Sequence, residues 1–97
     1  MENISPSSIN SLMNLIEGAS RPVIVTHMKP DGDAIGSSLA MYHFLRMSGK
    51  NDSCIVLNDR YPRYLEFLID EGARKAIRIH SENADEAIEA IRLSDLI

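Results

Sequence analysis

The chain has 97 residues, 44% hydrophobic and 25% charged, with a formal net charge of −4, the make-up of one soluble globular domain or part of one. The acidic balance excludes sequence-independent binding to long nucleic acid, which needs a basic face to neutralise phosphates. No run of about 18 apolar residues occurs and MENISPSS lacks the basic start and apolar core of a secretory signal, so no membrane segment is expected and the chain reads as cytoplasmic. Cys54 is the only cysteine and cannot form an internal disulfide; its setting in CIVL predicts a buried, inert thiol.

In chain order, Ser5 and Pro6 read as N-cap and first residue of a helix, with Ile9, Leu12, Met13 and Ile16 at helical spacing up to Gly18. PVIVTH follows as a β-branched run suited to a strand buried on both faces. After the KPDGD loop, Ile35, Leu39, Tyr42, Phe44 and Leu45 mark a second helix that ends near Gly49. SCIVLN is another apolar strand. Pro62 opens a short helix through RYLEFLI, and AIRIH alternates like a strand nearer the sheet edge. Asn83 and Glu86 form a capping box for ADEAIEAIRL, whose Ala84, Ala87, Ile88 and Ile91 share a face.

Alternating helices and strands of this kind imply right-handed crossovers over a parallel sheet. The expected class is α/β, a Rossmann-like parallel sheet with helices on both faces. The alternation predicts that a fourth strand begins at SDLI, so the expectation is a fold cut in mid-sheet.

The loop after VIVTH lies at the carboxyl edge of that sheet, where open α/β folds bind ligands. Pro30 and Gly32 turn the chain there, so His27, Asp31 and Asp33 can converge. One imidazole and two carboxylates without a thiolate suit Mn²⁺, Fe²⁺ or Mg²⁺ better than structural zinc, with zinc open on ligand type; manganese is the first choice. Asp33, directly before the apolar helical run, is also placed to cap the second helix. Gly36, Ser37 and Ser38 in its first turn would let a phosphate oxygen approach backbone N–H groups. The plain alternative is a surface turn with a helix cap and a hydrogen-bonded histidine. A calcium loop fits poorly, since Ile35 and Tyr42 fall where oxygen ligands are needed, and the phosphate-loop pattern is absent.

The stretch VIVTHMKPDGDAIGSSLAMYHFL resembles the first motif of the DHH phosphoesterase family, most nearly the bacterial branch of oligoribonuclease and 3′-phosphoadenosine 5′-phosphate phosphatase enzymes. Histidine, both aspartates, PDGDAIGS, the preceding strand and the following helix occur in register. The likeness is strong over about residues 20–49 and looser beyond, where IDEGARKAI departs from the family's proline and glycine turn. The resemblance implies two metal ions, normally manganese, that activate a water against phosphorus, with His27 and Asp31 binding one and Asp33 the other. His27 is then a neutral ligand, and no residue here is assigned as a catalytic acid or base. The implied substrate is short RNA or 3′-phosphoadenosine 5′-phosphate; a cyclic dinucleotide or polyphosphate is the alternative within the family, and a non-catalytic binding or assembly module the alternative outside it. The resemblance implies that residues 1–97 form the N-terminal portion of the family's catalytic domain, without its further ligands, including the Asp-His-His motif, and without its C-terminal substrate-binding domain. Three side chains cannot complete two divalent ions that each take about six donors, so the chain alone is expected to be inactive.

Asn58, Arg60 and Arg63, after the second strand, are weaker candidates for contact with a phosphate or base, a solvated loop being the ordinary alternative. His43 within the second helix and His80 after the third strand read as packed or surface histidines. Met41 and Met47 belong with helix packing or surface. Nothing in the sequence indicates an oligomeric state.

Overall fold

A computed structural model describes residues 5–26 and 30–97 of the chain. Its elements are α1 (Pro6–Gly18), β1 (Val23–Val25), α2 (Gly32–Met47), β2 (Cys54–Leu57), a 3₁₀ helix (Arg63–Leu68), α3 (Glu71–Ala76), β3 (Ile77–Ile79) and α4 (Ala84–Leu93). Local signals begin α1 and α4 as expected. The Ser5 hydroxyl accepts from the Ser8 amide at 3.2 Å; Asn83 accepts from the Glu86 amide and donates to its carboxylate, each at 3.1 Å. Helix α3 was not expected. Six residues are too few to display an apolar period, and it starts on a cap, the Asp70 carboxylate accepting from the Ala73 amide at 2.8 Å.

The three strands are parallel in the order β1-β2-β3, with Ile24 opposite Ile55 and Val56 opposite Arg78. Alternation along β2 divides the core. Ile55 and Leu57 pack with Ile35, Leu39 and Tyr42 of α2, with Leu65 and with Ala73 of α3; Val56 points the other way, to Val23 and Ala87 of α4. Helices therefore cover both faces of an α/β sheet, as the alternation implied. Burying a side chain such as Leu57 contributes about 1.5–3 kcal/mol.

The chain returns beside β1 rather than extending past β3. Leu96 accepts from the Val23 amide at 2.7 Å and Pro22 and Leu96 form a single parallel bridge. The Asp95 carboxylate takes the Ser20 and Arg21 amides at 2.7 and 2.8 Å. The spatial order Leu96, β1, β2, β3 reverses direction at β1, and such a reversal opens a crevice beyond the strand's carboxyl end.

Several packing expectations are corrected. Strand β1 is not buried on both faces: Val25 is 51% exposed, because it opens on a hollow of about 280 Å³ that Leu12, Ile16 and Leu45 line without filling. Of the apolar set on α1 only Ile16 is buried. Helix α4 meets the sheet through Ala87 and Ala90, small enough for close approach over Val23 and Val56, leaving Ile88 exposed and Ile91 and Ala84 toward solvent. Phe44 lies outward on α2, one position from buried Leu45. Cys54, first residue of β2, is half-buried rather than buried. Gly49 ends α2 as expected, with φ of +86°. No helix among the described residues is long and apolar enough to cross a membrane.

Candidate functional site

Asp31 and Asp33 both lie exposed where α2 begins, beyond the carboxyl end of β1. The helix cap is Asp31, not Asp33. Its Oδ1 accepts from the Ala34 amide at 2.9 Å and its backbone carbonyl from the Ile35 amide at 2.9 Å. Helix α2 starts two residues earlier than the apolar run suggests, at Gly32, which moves Asp33 into the first turn, where its charge complements the positive helix end. One oxygen of Asp31 serves the helix, and a carboxylate has a second to offer a cation. His27 lies outside the described residues. Among those described, no three His, Cys, Asp or Glu side chains gather to hold a metal.

The earlier helix start also corrects the phosphate expectation. Gly36, Ser37 and Ser38 stand more than a full turn inside α2, so their N–H groups belong to the helical ladder. The amides of the first turn are those of Gly32, Asp33 and Ala34, with Ala34 already taken by Asp31. Gly36 and Ser37 are exposed and Ser38 is buried. Among the described residues, a Cβ added at Gly32 or Gly36 would meet nothing within 4 Å.

The neighbouring loop is held by ion pairs the sequence does not announce. Arg60 donates to Glu82 twice, Nε to Oε2 at 2.7 Å and Nη2 to Oε1 at 2.5 Å, and its guanidinium lies 5.3 Å from the Tyr61 ring centre. Hydrogen bonding to Glu82 raises the Arg60 pKa and holds the Glu82 carboxyl below its ordinary value. The Tyr61 hydroxyl donates to Glu66 Oε2 at 2.7 Å, and Arg74 reaches Glu66 Oε1 at 2.6 Å. Burial, then the bond to Glu66, raises the Tyr61 pKa. Arg60 is thus an ion-paired, half-exposed charge that ties the loop after β2 to the turn after β3. The Asn58 carbonyl adds to that tie by accepting from the Ser81 amide at 3.0 Å. Arg63 opens the 3₁₀ helix, exposed.

His43 lies 3.5 Å from Asp70 Oδ2 and edge-on to Tyr42, well along α2. His80 is exposed after β3, its amide bonded to the Leu57 carbonyl. Hollows of about 270 and 370 Å³ around Arg21, Asp52, Cys54 and Arg78 lie at the opposite, amino edge of the sheet.

The DHH family, N-terminal domain, matches residues 21–95, a span that takes in the strand, the loop, α2 and everything to the bridge with Leu96. The chain belongs to the DHH family. This agrees with the resemblance carried by PDGDAIGS. The chain is 41% identical over 64 residues to the bifunctional oligoribonuclease and PAP phosphatase NrnA of Thermus thermophilus, a match covering 65% of this chain and 18% of that protein. Its fold superposes with a TM-score of 0.84 on an exopolyphosphatase-related protein from Bacteroides fragilis, at 33% identity over 98% of this chain and 27% of the other. The DHH domain described here therefore spans less than a third of either relative.

Proposed function

We propose that the protein is a manganese-dependent phosphoesterase of the cytoplasm acting on short oligoribonucleotides or 3′-phosphoadenosine 5′-phosphate. The observation that carries this reading is the placement of Asp31 and Asp33 together at the start of α2, at the strand whose neighbours reverse the sheet order. Exposed carboxylate oxygens, with an imidazole from His27, are a donor set suited to Mn²⁺. A pair of divalent cations at such a site supplies an activated water and neutralises phosphoryl oxygens.

The chain's own contributions are positional. Capping fixes the Asp31 carboxylate relative to the helix axis, and Asp33 stands two residues on. The first-turn amides of α2 and the helix dipole attract a phosphate oxygen to a protein of net negative charge. His27, Asp31 and Asp33 offer fewer donors than two ions need, so turnover is assigned to the protein at full length, and the 97-residue chain alone is expected to be inactive.

The relative from Thermus, an oligoribonuclease and PAP phosphatase, supports the nucleotide reading. The Bacteroides relative, exopolyphosphatase-related by name, favours inorganic polyphosphate as a second reading. Product formation by the full-length protein with Mn²⁺ separates the two, read as mononucleotide from diadenylate and as inorganic phosphate from 3′-phosphoadenosine 5′-phosphate and from polyphosphate. Turnover of the first two but not the third is expected, and exclusive turnover of polyphosphate would replace the first reading by the second.

A further inference from the structure

The 3₁₀ helix Arg63–Leu68 has three residues per turn, so residues three apart share a face. Leu65 faces inward, buried in the same cluster as Ile35, two positions past Asp33 on α2. Glu66 is tied to Tyr61 and Arg74 on a second face. The third face carries Tyr64 and Phe67, 73% and 81% exposed. A segment that merely covered the core would present polar residues there, and exposed apolar rings beside a candidate site indicate a ligand or a partner.

The position favours a ligand. β1 and β2 are adjacent and parallel, so the loop bearing Asp31 and Asp33 and the segment leading into the 3₁₀ helix leave the same sheet edge. Exposed Arg63 begins that helix, one residue before Tyr64. Two aromatic rings on one face, with a cation on the adjoining face that Arg63 shares with Glu66, match a nucleotide, whose base stacks on π-faces while its phosphate meets charge. Inorganic polyphosphate has no base to stack.

We infer that Tyr64 and Phe67 form a stacking platform for a substrate nucleobase, and so set the preference for nucleotides over base-free phosphates. The inference rests on the proposed phosphoesterase site. Its test uses ligands that differ only by the base. Adenosine 5′-monophosphate and ribose 5-phosphate are titrated calorimetrically, with Mn²⁺, into the full-length protein, into Tyr64→Ala/Phe67→Ala and into Tyr64→Phe/Phe67→Trp. The nucleotide is expected to bind about tenfold tighter than the sugar phosphate, as base–aromatic stacking typically provides. The alanine pair removes that ratio and leaves ribose 5-phosphate affinity unchanged, while the aromatic pair restores it.

Equal binding of both ligands by the unaltered protein, or a ratio that survives the alanine pair, overturns the platform. A change of sedimentation coefficient in the alanine pair without a change of ratio overturns it too, and assigns the face to contact between copies. The underlying site is checked separately. Ribose 5-phosphate binding that persists in Asp31→Asn/Asp33→Asn contradicts the metal reading, whatever the base preference.

Discussion

The Asp31 side chain holds the Ala34 amide at 2.9 Å, so the carboxylate proposed as a metal ligand is also the one that starts helix α2. Structure and chemistry can therefore be separated by the choice of replacement. Asparagine is as good an N-cap as aspartate, whereas alanine is poor. Asp31→Ala is expected to lower stability by about 1 kcal/mol, read from urea unfolding, while Asp31→Asn stays close to the unaltered protein. Activity at full length falls sharply in both. An Asn variant with full activity would leave Asp31 with its cap alone.

Arg60 and Glu82 form a two-bonded pair across the carboxyl edge. Both side chains are about half exposed, so the pair orders loops more than it stabilises the fold. Glu82→Gln is expected to shift the melting temperature little and to raise KM more than it lowers kcat, because Arg60 and Tyr61 lose their fixed place beside the 3₁₀ helix. Unchanged KM would show that the substrate does not sense this tie.

Asp95 joins the chain's last residues to the segment before β1, and its bonds from the Ser20 and Arg21 amides hold its carboxyl below the ordinary value of 3.8. A depressed folded value means that the ionised form is the one the fold prefers. The stabilisation is thus present above about pH 4 and is lost as pH falls through the lower, folded value. Urea midpoints of the protein and of Asp95→Asn should differ most at pH 5 to 7 and converge on acidification. A difference that grows below about pH 4 would contradict this sign.

Leu57 is fully buried at the centre of the sheet. Leu57→Ala is expected to cost about 2–5 kcal/mol, enough to unfold much of a small domain. Val25→Ala, at a half-exposed position of β1, is expected to cost far less. Denaturation of the two variants side by side checks the burial pattern.

The sequence displays the parts of this fold whose cause is local. A β-branched run marks β1 and an apolar run β2, and Ser5, Asn83 and Glu86 announce their helices through side chains that reach only three residues. Helix α3 escaped because Asp70 caps a segment too short to show a period. Two aspartates two positions apart compete for the α2 cap, and the outcome turns on whether Gly32 joins the helix, which a weak helix former conceals. The Arg60–Glu82 pair spans 22 residues and exists only once two loops meet, so no spacing rule exposes it. The buried face of α4 differs from the one its isoleucines suggest, because alanine, not isoleucine, allows close approach to the sheet. His27, the third member of the expected ligand set, falls outside the described residues.

Manganese binding by the full-length protein tests the central claim most directly. Calorimetric titration should show Mn²⁺ binding in the unaltered protein and its loss in Asp31→Asn/Asp33→Asn, with unchanged circular dichroism because asparagine keeps the cap. Equal Mn²⁺ affinity in the folded double variant would contradict the account.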